Sequence, residues 1–514
     1  MESQKNTNPY VAVILDGFGM APKYEGNAVE LARKPNYDKL KKQYPYTELG
    51  ASGKDVGLEA GGMSGSEVGH TNIGAGRVIE QESKIISQGI DDKTFFQNPV
   101  LLKAVNHVEK IGSRLHLVGL LSSDNSPHSK LKHFTAILEI AKQKGISEVF
   151  IHFFTDGRDS KPQSAEKHLK KWNNIMDTIG IGKVATVGGR FYGMDRVKNW
   201  DRLKMAYNAM AKGEGEKADS AQEAIKQARA QKLIDEYILP TVIYEQGKPV
   251  AKIADNDAVI FFNLRSDRAR QLTKLFVLEE STETELPQPR VKNLFFVTLT
   301  DFGPDINTHT AFAANNIYQT LPSALANSRQ LYISETEKFA HVTFFLNGGF
   351  PDSVAGEKRI MIPSPDVNSY AETPEMSAKA ITDVIIKYTE EEAYDFILVN
   401  YPNPDMLGHT GDIKATVKGI EFVDKCLGRL WKEIQKREGG MFVFADHGNA
   451  DEMLDKKTGE KLTFHTTNPV PFIMAYDKLR GKKLATGGKL GNIAPSILKT
   501  MDIKKERKMG EELF

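Results

Sequence analysis

Cysteine is almost missing from this chain. Cys426 stands alone among 514 residues, so no internal disulfide can form, and the sequence fits a reducing compartment, read here as the cytoplasm. It lies in "GIEFVDKCLGRLWKEI", a helix-like pattern where a buried structural thiol is expected rather than a nucleophile. Long apolar runs are absent too: none approaches the roughly 20 residues that span a bilayer. The opening "MESQKNTNPY" has no basic stretch followed by an apolar one, so neither a secretory leader nor a membrane partner is expected. Nor does one sign of charge prevail. With 68 Lys+Arg against 67 Asp+Glu the formal net charge is +1, without the basic surplus that suits a nucleic-acid backbone. Repeats and low-complexity segments are also lacking. Any attraction for anions must come from local clusters of Arg and Lys.

What is present describes an α/β protein. Hydrophobic residues make up 40% of the chain, enough for a sizeable core, and the length suggests two or more domains. Short, nearly continuous apolar runs recur: "YVAVILD" (10–16), "EVFIHFFTDGRD" (148–159), "KVATVGGR" (183–190), "DAVIFFNLR" (257–265), "NLFFVTLTD" (293–301), "YDFILVNYPNPD" (394–405), "GMFVFADHGN" (440–449) and "VPFIMAYD" (470–477). Runs of this kind read as strands buried on both faces of parallel sheets. Helical patterns such as "SAEKHLKKWNNIMDTIG" and "EMSAKAITDVIIKYTEEE" lie between them. The charged "GEGEKADSAQEAIKQARAQK" reads as a solvated helical face and "DIKKERKMGEE" as a polar C-terminal tail. Six strands end in a chemically capable side chain: Asp16, Asp159, Arg190, Arg265, Asp405 and Asp446. Ligands of open α/β sheets bind beyond the strands' carboxyl ends.

"NPDMLGH" sets Asp405 and His409 four residues apart, on one side of a helical turn. "FADHGNADE" supplies Asp446 and His447, "TFHTTNPVPF" supplies His465, and "VILDGFG" supplies Asp16 with glycines behind it. Oxygen and imidazole donors without thiolate suit Mn²⁺, Zn²⁺ or Mg²⁺. Two such ions clamp the attacking and leaving oxygens of a phosphoryl transfer. The stretch "GGMSGSEVGHTNIGAGR" (61–77) has glycine at six of its seventeen positions. That freedom lets backbone amides approach an anion while a serine meets the metals. Ser66 and Ser64 are both candidates for that serine, and chemistry alone does not rank them. Mid-chain, "DGRD" carries Arg158 and Asp159, "GGRFYGMDR" carries Arg190 and Arg196, and "NLRSDRAR" carries Arg265, Arg268 and Arg270. Forked guanidiniums bind phosphate and carboxylate, so these clusters favour a small anionic ligand, which His128 and Lys338 can join.

The ordered set "ILDGFG", "SGSEVGHTNIGAGR", "HSKLKH", "TDGRD", "GGRFYGMDR", "FFNLRSDRAR", "EKFAHVTFFLNGG", "NYPNPDMLGHTGD", "FADHGNADEM" and "FHTTNPVPF" closely resembles the cofactor-independent phosphoglycerate mutases of the alkaline phosphatase superfamily. The resemblance runs over essentially the whole chain. It implies an alkaline-phosphatase-like metal domain with a largely parallel sheet, residues 1–80 and 314–514. An inserted α/β phosphotransferase domain, 81–313, would interrupt it. It implies interconversion of 3-phosphoglycerate and 2-phosphoglycerate through a phosphoserine on Ser66, two divalent metals, usually manganese, and no 2,3-bisphosphoglycerate. One metal would take Asp405, His409 and His465; the other would take Asp16, Ser66, Asp446 and His447. Substrate would meet His128, Arg158, Asp159, Arg190, Arg196, Arg265, Arg268 and Lys338, with Asp159 as acid/base, in a protein that works as a monomer. Two departures stand out: Gly65 where many relatives have Asn, and Lys130 where a second histidine is common. A phosphatase or phosphopentomutase on the same metal core is the nearest alternative, and a silent anion-binding scaffold is a remoter one.

Overall fold

Each of the eight apolar runs contains a strand, and between them the runs seed two separate sheets. The computed structural model describes residues 8–514 except 125, 304 and 314–316. The first seven residues and the expected boundary at residue 314 lie outside the described residues. The chain divides into two units, residues 1–81 with 316–514, and residues 82–315.

The discontinuous unit is built on an eight-stranded sheet. Its order is Lys358–Ile362, Gln330–Glu335, Phe396–Tyr401, Tyr10–Leu15, Gly440–Phe444, Val470–Ala475, Tyr46–Gly50, Gly488–Lys489. The first five run parallel, and Val470–Ala475 lies antiparallel to both of its neighbours. Every residue of Tyr10–Leu15 is buried, as a central strand covered on both faces requires. Each fully buried Val, Ile or Leu there contributes about 1.5–3 kcal/mol, so Ile14→Ala should cost about 2–5 kcal/mol. The helix Ile413–Lys436 covers this sheet with a stripe of Ala415, Gly419, Ile420, Val423, Cys426, Leu427, Leu430 and Ile434. Cys426 is thus a packed core thiol, and burial pushes it above its ordinary range.

The second unit carries a sheet ordered His309–Phe312, Phe295–Thr300, Ala258–Phe261, Leu115–Leu121, Val149–Thr155, Lys183–Gly189, Thr241–Glu245, Glu216–Ala218. It too is mostly parallel, the exception along this path being the pairing of Lys183–Gly189 with Thr241–Glu245. Helices Leu131–Gln143 and Ala165–Ile179 present buried aromatic side chains, with Phe134 and Trp172 centred 4.8 Å apart.

Two polar segments behave differently from their sequence. The helix Ala221–Ala230 buries Ala221, Ala224, Ile225 and Ala228, so small apolar residues spaced among the charges give it an inward face. The C-terminal stretch is anchored: Met509 and Leu513 are buried. The Gly510 N–H donates to Gly76 O at 2.7 Å, at the left-handed cap (φ 62°) of the helix Ser66–Ala75. Two apolar side chains among lysines are too sparse a pattern to announce this docking.

Candidate active-site clusters

In the first unit the loops beyond the parallel strands converge. Asp16 follows Tyr10–Leu15 directly, Asp446 lies two residues past Gly440–Phe444, and Asp405 sits in the short helix Asn403–Gly408 after Phe396–Tyr401. Ser66 opens the helix Ser66–Ala75 behind an extended Gly65. Two glycines permit the approach. Gly17 is left-handed (φ +75°), and a Cβ there would lie 2.7 Å from Asp405 Cα; a Cβ at Gly69 would meet Asp446 O at 2.7 Å.

Ser66 Oγ lies 3.2 Å from Asp16 Oδ1 and 2.9 Å from His447 Nε2. Lys338 Nζ donates to Ser66 Oγ at 2.6 Å, to Asp16 Oδ1 at 2.8 Å and to Asp405 Oδ2 at 2.6 Å. Ser64, the rival, has a buried hydroxyl without a hydrogen-bond partner, and its carbonyl accepts from His465 Nδ1 at 2.8 Å. Geometry therefore separates the two serines that chemistry left level.

The donor set fits divalent cations. Asp405, His447 and His465 form one group of metal-ligating atoms and Asp16, Asp446 and His447 another, each within 4.8 Å, sharing His447. His409 completes the neighbourhood, its Nε2 3.3 Å from Asp405 Oδ1 and 3.2 Å from His465 Nε2. Nδ1 of His409 donates to Thr463 O at 2.7 Å, that of His465 to Ser64 O, and that of His447 to Gly448 O at 3.3 Å. Carbonyl acceptors at Nδ1 orient each ring so that its Nε2 faces the cluster, the edge that metal-binding imidazoles present. Three buried aspartates face one ammonium, an excess of negative charge that metal ions would balance. Burial alone would raise Asp405, but His409 and Lys338 hold it well below the usual carboxylate range. Burial and Asp446 raise Asp16. Burial would lower Lys338, yet Asp16 and Asp405 hold it above the ordinary lysine value.

Supporting side chains escaped the sequence reading. Asn400 Nδ2 donates to Asp16 Oδ2 at 2.7 Å, Asn449 Nδ2 to Asp405 Oδ1 at 2.8 Å, and His70 Nδ1 to Ser66 O at 2.8 Å. All three lie inside quoted motifs, but nothing in their spacing reveals their partners.

The second unit gathers the arginines. Arg190, buried at the end of Lys183–Gly189, donates from Nη1 to Asp156 at 2.7 Å and to Asp159 at 2.6 Å, while Nη2 meets His128 Nε2 at 3.1 Å. Asp267 lies 3.4 Å from Arg196 and 3.7 Å from Arg265; Arg158 reaches Glu236 at 3.8 Å. Arg268 donates to Met194 O at 3.4 Å. Burial, then the charges of Arg190, Arg158 and Arg196, lowers Arg268 to about 10. Burial and Arg190, Arg265, Arg268 and Arg158 push His128 well below its usual value. Crowded cations of this kind are relieved by a bound anion. Arg270 turns aside to pair with Asp305. Lys338, grouped with the arginines from sequence, lies in the first unit among the Asp and His side chains.

The parallel sheet with Asp and His at its strand ends defines an alkaline-phosphatase-like α/β protein, and the Type I phosphodiesterase / nucleotide pyrophosphatase family matches residues 292–504. The BPG-independent PGAM N-terminus family matches residues 86–304. The chain is 47% identical over 504 residues to a 2,3-bisphosphoglycerate-independent phosphoglycerate mutase of Clostridium perfringens, covering 98% of each chain. It is 46% identical over 510 residues to that of Clostridium acetobutylicum, covering 98% of this chain and 99% of the relative. A crystal structure of Leishmania mexicana phosphoglycerate mutase superposes with a TM-score of 0.84 at 29% identity, covering 100% of this chain and 98% of that one. The chain belongs to the 2,3-bisphosphoglycerate-independent phosphoglycerate mutase family.

Proposed function

We propose that this chain interconverts 3-phosphoglycerate and 2-phosphoglycerate by moving the phosphoryl group through Ser66. The observation that carries the reading is the buried Ser66 hydroxyl, within hydrogen-bond distance of Asp16, His447 and Lys338 at the junction of two Asp/His groups. Asp405, His409 and His465 would hold one divalent cation, and Asp16, Ser66, Asp446 and His447 the other; manganese is our choice, with magnesium and zinc as competitors. When bound, such cations favour ionised serine and neutralise charge on the phosphoryl group.

The protein's side chains supply the rest. Lys338 donates to Ser66 Oγ and favours its oxyanion. Ser66 Oγ bonds to phosphorus while the bond from phosphorus to the C3 oxygen breaks, and Asp159 gives the departing oxygen its proton. Arg158, Arg190, Arg196, Arg265, Arg268 and His128 retain the glycerate through carboxylate and hydroxyl contacts. Asp159 then accepts the C2 hydroxyl proton as that oxygen attacks phosphoserine and Ser66 leaves. Division into two similar displacements replaces one difficult exchange. Retention of glycerate by the arginines favours isomerisation over hydrolysis.

We place this activity in a cytoplasmic monomer acting on a small molecule, without nucleic-acid or membrane partners. Its lone cysteine suits a reducing compartment, and among the described residues no helix is long and apolar enough to cross a membrane. We assign residues 1–81 and 316–514 to metal and phosphoserine chemistry and 82–315 to substrate binding and transfer. The test is an enolase-coupled assay on metal-stripped protein, with Mn²⁺, Mg²⁺ and Zn²⁺ restored separately and phosphate release followed in parallel. Isomer should outrun phosphate, and Ser66→Ala should lose activity by a factor on the order of 10⁴ or more. A Ser66→Ala variant of near-full activity, or phosphate as the main product, refutes the assignment.

A further inference from the structure

The motif "SEVGH" ends in a histidine to which the reaction above gives no task. His70 lies one turn along the helix Ser66–Ala75 from Ser66 and is fully buried, as is Asn400. Its Nε2 is 3.0 Å from Asn400 Nδ2, and that same Nδ2 donates to Asp16 Oδ2 at 2.7 Å. The amide cannot stand the other way round, since its carbonyl oxygen would then face a carboxylate oxygen. An amide nitrogen accepts no hydrogen bond, so Nδ2 gives one hydrogen to Asp16 and the other to His70 Nε2. The ring proton is therefore on Nδ1, which donates to Ser66 O at 2.8 Å and stands 3.2 Å from Asp446 Oδ2. Asp16, Asn400, His70 and Ser66 thus form one unbroken chain, with Asp446 drawn to its end.

We infer that His70 and Asn400 are paired positioning residues that hold Asp16, Ser66 and Asp446 for one of the two cations, an inference resting on the two-cation reading. The chain ties together segments far apart in sequence. Asp16 follows the strand Tyr10–Leu15; Asn400 lies in its neighbour Phe396–Tyr401, and Asp446 follows Gly440–Phe444 on the other side. With Oδ2 taken by Asn400, Asp16 turns Oδ1 to Ser66 Oγ and Lys338 Nζ. Asp446 is held at its other oxygen, where Oδ1 accepts from the N–H groups of Gly17 at 3.3 Å and His447 at 3.0 Å. Asp405, His409 and His465 rest on different groups: Asn449, Thr463 O and Ser64 O. The two candidate metal sites therefore have separate supports, and this chain serves one of them. Donors behind a ligating carboxylate fix its orientation, and their loss weakens metal binding. A histidine kept only to fill the core would not distinguish between the sites.

The test is calorimetric titration of the metal-stripped full chain with Mn²⁺. Wild type should take up two ions, and Asp446→Ala and His465→Ala show which binding step belongs to which site. His70→Phe keeps a ring and removes both nitrogens; Asn400→Leu removes the amide. Each should weaken the Asp16–Asp446 site by about 10–100-fold and change the Asp405–His409–His465 site less than about threefold. Because both belong to one chain, the double variant should lose less than the product of the two single losses. Unchanged affinity at the Asp16–Asp446 site, equal weakening at both sites, or a double loss equal to the product overturns the inference. Should His70→Phe or Asn400→Leu fail to fold by circular dichroism, His70→Asn decides. Its amide nitrogen, as many bonds from the backbone as Nδ1, keeps that donor but not the contact with Asn400. The Asp16–Asp446 site should then weaken about threefold or more; no weakening overturns the inference. A wild type that binds fewer than two ions defeats the functional reading as well, whereas two ions in the wild type with unmoved variants defeats this inference alone.

Discussion

In the first unit the loops beyond the strands bring Asp16, Asp405 and Asp446 around one lysine; in the second they bring Arg158, Arg190, Arg265 and Arg268 near two aspartates. The scaffolds are alike: mostly parallel sheets, with side chains presented past their carboxyl ends. The sign of the charge differs, and so does the ligand each cluster suits. Surplus carboxylate calls for metal ions, and surplus guanidinium for a phosphorylated acid. Topology supplies the place; a few side chains per strand end choose the chemistry. In each cluster the minority charge, Lys338 in one and Asp156 with Asp159 in the other, keeps the array from repelling itself apart.

That contrast yields separable outcomes. Asp446→Ala should weaken divalent-metal binding by at least about a hundredfold, read by calorimetric titration, and abolish turnover. Lys338→Met strands buried carboxylates without their cation. It should cost the metal-free protein about 3–5 kcal/mol in urea unfolding, and saturating Mn²⁺ should recover most of that loss. A metal-free variant as stable as wild type would contradict the balancing role of the lysine. Arg268→Lys removes a forked donor from the other cluster. KM for 3-phosphoglycerate should rise roughly tenfold, while metal content, measured by atomic emission, stays the same; a loss of metal there would break the division of labour.

The smallest effect concerns acid stability. In the second unit His133 is buried beside Ser87, and burial, then Lys130 and Lys132, lowers it to about 3. Above the ordinary histidine value near 6.5 both folded and unfolded chains are neutral there. As pH falls from 6.5 towards 3, only the unfolded chain takes the proton, and stability drops by about 1.4 kcal/mol per unit. Between pH 7 and pH 5 this amounts to about 2 kcal/mol. His133→Gln should lessen the acid-induced loss by that amount in paired urea melts.

Much of this was readable before any coordinates. The strand Phe396–Tyr401 and its partners announced themselves because burial on both faces forces a continuous apolar run, and Asp16 and Asp446 followed from standing at such ends. Shorter or mixed strands did not: Gln330–Glu335 carries Gln, Ser and Glu, and Tyr46–Gly50 alternates. The supporting groups were hidden for another reason. Asn400 meets Asp16 across 384 positions of sequence, and Asn449 meets Asp405 across 44. An asparagine near a strand end looks the same whether it caps a turn or holds a carboxylate. Asp156 was masked by Asp159, since "DGRD" offers two carboxylates and only the fold tells which is enclosed. The partners of Lys338 were hidden as well, because a lone lysine carries no signature of the charges it will face.

The strand Tyr10–Leu15 lies between Phe396–Tyr401 and Gly440–Phe444, both made hundreds of residues later. On the ribosome it must wait tens of seconds, at ordinary elongation rates, for the neighbours that will clothe it. Meanwhile residues 82–315, contiguous in sequence, have all their strands in hand and can close first. An apolar strand left bare during synthesis is therefore a toll of the interrupted layout, and the discontinuous unit is completed last.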